Sequence, residues 1–129
     1  MRELLPKVTA RSHGLDHNVE AEALWIGPDL LVYIWGGEAP HIGAVAMAQP
    51  RPSLADPKVT SSTASVFAYV GHKEDALAKW AAETISSALN AKVVVTAGIH
   101  WDDLDQASIK SVLANSEQLV QLLIKQLRT

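Results

Sequence analysis

The sequence predicts an α+β domain (a mixed α/β arrangement) in the order β-β-β-β-α-β-α, with two long helices packed on one sheet. Two observations carry that prediction. Apolar residues recur with period two up to about Val70, and from Glu74 they recur at three and four. A single β-branched run, "VVVTAG" (Val93–Gly98), then separates the two helical stripes.

Taken in order, residues 1–17 are weakly patterned and read as a loose arm or an edge strand, with one domain over 18–129. "VEAEALWI" sets Val19, Ala21, Ala23 and Trp25 against Glu20, Glu22 and Leu24, the alternation of a strand with one buried face. "GPD" at Gly27–Asp29 turns the chain into "LLVYIW", which makes an antiparallel hairpin. "IGAVAMA" (Ile42–Ala48) is the third strand, closed by the proline-bounded loop Gln49–Pro57, because proline removes ladder donors. "TASVFAYV" (Thr63–Val70) is the fourth.

The first helix is expected over about Glu74–Asn90, with Leu77, Trp80, Ala81, Thr84, Ile85, Ala88 and Leu89 in its apolar stripe. Glu74 and Asp75 lie in its first turn, where the helix dipole favours negative charge. "VVVTAG" reads as a strand covered on both faces. Asp102, Asp103 and Asp105 lead into a last helix over about Gln106–Leu127, buried through Ile109, Val112, Leu113, Leu119, Val120, Leu123 and Leu127.

Composition narrows the function classes. With 11 basic and 14 acidic side chains in 129 residues, the net charge of −3 supplies no field for nucleic acid or an anionic membrane. Cysteine is absent, which excludes disulfides, thiolate nucleophiles and cysteine-based zinc sites. No apolar run approaches the roughly 18 residues of a membrane span. "MRELLPKVTARSHG" has no signal-peptide core. The expectation is a soluble, cytoplasmic protein.

The span from Gly36 to Val66 is dense in glycine, proline and hydroxyls and poor in acids, more than a plain connection requires. Three of the five histidines sit at strand ends beside glycine or proline: His41, His72 and His100. They either cap turns or converge on one rim, where metal binding or acid–base work is chemically open. His13 and His17 have a spacing that binds metal only on a helix, and Gly14 argues against one. "GHKED" opens the first helix, so free N–H groups lie beside His72 and Lys73 in an anion-binding arrangement. Arg51 stands between two prolines, stiffly presented for a bidentate pair, and Ser61, Ser62 and Thr63 add hydroxyls. There is no GxSxG elbow, Walker motif or GxGxxG, so catalysis is the weaker inference. Trp25 and Trp35 are core or interface residues by their strand positions, and with aromatics enriched in interfaces they favour a homodimer or higher homo-oligomer.

The blocks "GGEAPHIGAVAMAQPRPSL", "SSTASV", "GHKEDALA" and "VVVTAGIHWDDL" resemble the signature of the prenylated-flavin chaperone-like domain family, the small accessory proteins of the gallate decarboxylase type. The resemblance runs from about Val19 to the C-terminus. It implies a proteasome assembly chaperone-like fold, usually as homodimers or larger oligomers. It also implies a non-catalytic accessory that binds or delivers prenylated FMN, or FMN, to a prenylated-flavin-dependent decarboxylase. The positions carried over are Gly37, Pro40, His41, Gly43, Arg51, Pro52, Ser53, Ser62, Thr63, Gly71, His72, Lys73, Glu74, Asp75, Gly98 and His100. Trp101 departs from the pattern, where a smaller apolar residue is expected. The ligand site expected on this reading is His41, Arg51, Ser62, Thr63, His72, Lys73 and His100, gripping a flavin phosphate. A ligand-free assembly chaperone and a small histidine-based metal enzyme are the alternatives.

Overall fold

The computed structural model describes residues 7–69 and 74–128. Its elements are β1 (Lys7–Arg11), β2 (Val19–Ile26), β3 (Asp29–Gly37), β4 (Ala44–Pro52), β5 (Thr60–Ala68), α1 (Asp75–Leu89), β6 (Val93–His100) and α2 (Gln106–Leu127). The strands form one mixed sheet in the order β1-β2-β3-β6-β4-β5. β6 enters between β3 and β4, parallel to β3 and antiparallel to β4. The expected order thus holds, with one strand added in front: Lys7–Arg11 pairs with β2 as an edge strand.

Both helices cover the same face. α1 lies over β4, β5 and β6, and α2 over β1 and β2. Val19, Ala21 and Ala23 of β2, Leu30, Val32 and Ile34 of β3, and Val93, Val95 and Ala97 of β6 point into this layer and are buried. Small residues dominate β2 and β4 here, so Ile85, Leu119 and Leu123 of the helices fill the space between.

Three expectations are corrected. β4 runs on through Pro50 and Pro52 instead of stopping at Ala48. β6 ends its pairing with β4 at Val93↔Ala48, while Ser53 N–H still donates to Val59 O on the β5 side at 2.8 Å. The alternate nitrogens, those of Pro50 and Pro52, therefore face the side that β6 has vacated, where no donor is needed. β6 is helix-covered on one face only; Val94 and Thr96 on the other are half-buried. Ile109 and Leu113 are 45% and 53% exposed, because α2 buries only its later turns, through Leu119, Val120, Leu123 and Ile124.

The face away from the helices is assembled in cross-strand rows. Glu22, Tyr33, Thr96, Val45 and Phe67 are register partners across β2, β3, β6, β4 and β5, and Leu24, Leu31, Val94, Met47 and Ser65 form the next row. This face is largely apolar and has no covering layer among the described residues. Met47 and Phe67 are 63% and 69% exposed.

Candidate functional site

β3 and β4 flank β6, so the segment joining them, residues 38–43, crosses the C-terminal end of β6 as a strap. Glu38 N–H donates to His100 O at 2.7 Å, and Gly43 N–H donates to Ala97 O at 2.9 Å. Two glycines make this approach possible. A Cβ on Gly98 would lie 1.5 Å from His41 O, and one on Gly37, at φ +89°, would lie 2.0 Å from His100 O. The strap's histidine is fixed from both ring nitrogens: Nδ1 stands 2.9 Å from Ala39 O, and Nε2 stands 2.9 Å from Glu74 Oε1. Glu74 occupies the N-cap position of α1 without capping it by its side chain. Instead its Oε1 also accepts from Ile99 N–H at 3.3 Å. A Cβ at Gly43 would strike the Glu74 carboxylate, so this glycine makes room for the pair.

The strap walls a trough of about 670 Å³ on the open sheet face. Tyr33 and Trp35 form its floor, their rings stacked at 5.9 Å and 23°. Leu31 and Thr96 continue the floor, and Pro40, His41 and Ile42 form the wall. The Tyr33 hydroxyl donates to Glu22, its cross-strand neighbour. That hydrogen bond, with burial and the negative charge of Glu22 adding to it, holds the Tyr33 phenol above its ordinary value of 10.0. The phenol is therefore a neutral donor at physiological pH. A flat body laid in the trough meets two aromatic side chains, an aliphatic border and one carboxylate.

The described members of the expected ligand set fall in three places. His41 lines the trough. His100 lies at the same end of the sheet, its Nε2 2.9 Å from Asp102 Oδ1. That contact comes first, and a Glu38 hydrogen bond second, in holding the Asp102 carboxyl below its usual range. Arg51 and Thr63 are joined on the open face, Nε donating to Oγ1 at 2.7 Å, with Nη1 donating to Pro52 O at 3.0 Å. They lie toward the other end of the β4–β5 pair: Arg51 is roughly 23 Å along the strand from Ala44 at about 3.3 Å per residue, and Thr63, opposite Gln49, roughly 17 Å. Ser62 is on the helix face, where its hydroxyl donates to Glu83 O at 2.8 Å and accepts from Ser87 at 3.0 Å. His72 and Lys73 lie outside the described residues. Among the described residues, no group of three or more His, Asp or Glu side chains is placed to hold a metal ion.

Tyr33, Glu22 and Thr96 are trough residues that motif reading passes over. The signal for them is present in the alternation itself: once Ala21 and Ile34 face the core, Glu22 and Tyr33 must share the opposite face.

A family model described as the prenylated flavin chaperone LpdD-like domain matches residues 13–128. No curated protein matches the chain. Among solved structures, a chain of a chaperone complex for yeast 20S proteasome assembly aligns with a TM-score of 0.56 at 14% identity, over 98% of this chain and 97% of that one. At that identity the likeness is one of fold. No helix among the described residues is long and apolar enough to cross a membrane.

Proposed function

The chain belongs to the prenylated flavin chaperone LpdD-like domain family, and from that premise we propose that it binds prenylated FMN, or FMN, without turning it over and passes it to a prenylated-flavin-dependent decarboxylase. The observation that supports this reading best is the trough floor. Tyr33 and Trp35, near-parallel and packed together, line the floor beside Leu31 and Thr96, in a space of about 670 Å³ that stays open along the sheet. Long-lived small-molecule and cofactor sites usually bury most of a ligand's surface. A carrier has to hold a flat, fused ring system and then release it, and an open aromatic floor suits that task.

The phosphate is assigned to the strap end. His41 lines the trough there beside Glu74, and His72 and Lys73 directly precede Glu74 in sequence. Arg51 and Thr63 lie too far along β4 to share that phosphate, and Ser62 is engaged by α1. We assign a second copy of the chain to the outer part of the same face, around Met47 and Phe67, where exposed apolar side chains exceed what a free surface needs.

The test is titration of wild type, Trp35→Leu and Tyr33→Ala with FMN and prenylated FMN. Loss of binding in both variants with folded protein supports the reading. A wild type that binds neither flavin removes it and leaves a ligand-free assembly chaperone, for which the fold neighbour is the precedent.

A further inference from the structure

A second cavity, of about 500 Å³, opens at the same end of the sheet and is built differently from the trough. Arg11, Glu20 and Trp35 are successive register partners across β1, β2 and β3, and they form its floor. Asp16, Glu38 and Trp101 close it from the loops. The lining therefore has two indoles, three carboxylates, Arg11 and the His17 imidazole, whose Nδ1 stands 3.2 Å from Asp16 Oδ1.

The Asp16–His17 corner is held in place by a rigid element. Asn115, buried on α2, donates from Nδ2 to Asp16 O at 2.7 Å and to His17 O at 2.9 Å. His17 takes φ +53°, a left-handed conformation that a non-glycine residue adopts only at a cost. Its ring meets Trp101 edge-on, with centroids 5.0 Å apart at 76°, so the indole keeps its place in the wall.

We infer that this cavity binds an organic cation, an alkylammonium or guanidinium group. Two indoles border the cavity and can take a positive group against their π-systems, and the three carboxylates outnumber Arg11 and His17 together, which sets the sign of the field. A metal ion fits less well. Hard divalent cations demand six or more oxygen ligands, and no group of three or more acidic or histidine side chains converges among the described residues. The cation is either a free amine or the Lys or Arg side chain of a bound protein segment; the recognising chemistry is the same. This site lies outside the flavin reading and needs no flavin, although Trp35 borders both cavities.

The experiment records the indole N–H signals of the full chain by NMR, without flavin. The probes are methylguanidinium, butylammonium, a capped Gly-Arg-Gly peptide and a neutral alkylurea of matched size. The expected result is a saturable shift of the Trp35 and Trp101 signals with cationic probes and none with the urea. Trp101→Leu weakens binding about 2- to 30-fold. Glu20→Gln and Glu38→Gln, both on exposed side chains, weaken it about two- to fivefold each and keep the test valid if Trp101→Leu fails to fold. Binding of the peptide in preference to the free cations identifies a protein side chain as the occupant, and the reverse identifies a small amine. Equal shifts with the urea, or no shift with any cation at tens of millimolar, overturns the inference.

Discussion

Gly98→Ala tests whether the strap builds the site. The added methyl would sit 1.5 Å from His41 O, 2.3 Å from His41 C and 3.1 Å from Ile42 N. Carbon contacts relax only near 3.5–4.0 Å, so the strap must retreat by about 2 Å. Such a retreat breaks the hydrogen bonds of Glu38 N–H to His100 O and Gly43 N–H to Ala97 O, now 2.7 and 2.9 Å. Each is worth about 0.5–1.5 kcal/mol net. Alanine returns part of this, since glycine within a strand costs about 0.5–1 kcal/mol relative to alanine. Residual crowding adds to the loss, and the balance is a destabilisation of about 1–3 kcal/mol. In a domain of this size that lowers Tm by about 4–12 °C. The same displacement carries His41 off the trough wall, so flavin affinity falls with it. Gly27→Ala is the control: no atom lies within 4 Å of its added Cβ, its φ of +59° costs about 1–2 kcal/mol, and the trough is untouched. Thermal unfolding followed by circular dichroism, beside a flavin titration, reads both effects. A Gly98→Ala protein that melts at or above wild type and binds flavin normally would refute the account of the strap.

Asp105 caps α2 by accepting from Ser108 N–H at 2.7 Å, a bond that holds its carboxyl below the ordinary range; Asp105→Ala should lower stability in urea denaturation. That stabilisation is present above the unfolded carboxyl's pKa and disappears as pH falls through the lower folded value, so the deficit of Asp105→Ala narrows in acid. Tyr33 should ionise above 10.0 in an ultraviolet titration, and Glu22→Gln should bring it down; its stabilisation is complete below 10.0 and lost as pH rises through the higher folded value. Ser62→Ala should cost about 1 kcal/mol through the bond to Glu83 O and leave flavin affinity unchanged, whereas a ligand-contacting Ser62 would show the opposite split.

Where period and turn chemistry act locally, the sequence was a good guide. Alternation placed Val19, Ala21 and Ala23 inward, and the stripe Leu119–Leu123 placed α2 against the sheet. Gly27 at φ +59° followed by Pro28 supplies the two-residue hairpin turn that "GPD" promised. What local pattern could not convey is strand order. Insertion of β6 between β3 and β4 is a long-range pairing, and it alone turns residues 38–43 into a strap and Gly98 into the point that the strap crosses. For the same reason Arg51 and His41, close in sequence, stand at opposite ends of β4, and Ser62 and Thr63, adjacent in sequence, point to opposite faces. Motif reading gathers such residues into one site; an extended strand separates them. Tyr33 and Trp35 were legible as strand residues but carry no motif, and their significance appears only once the sheet's second face is seen to lack a covering layer.

The measurement that bears most directly on the central claim is equilibrium binding of prenylated FMN to the full chain and to Trp35→Leu, with each protein's melting curve recorded alongside. Stacking on the trough floor predicts saturable binding by wild type, with quenching of tryptophan fluorescence. Removing an aromatic partner, with the apolar contact it supplies, predicts affinity lower by about tenfold at unchanged fold. Undiminished binding by Trp35→Leu, or no binding by the wild type, would contradict it.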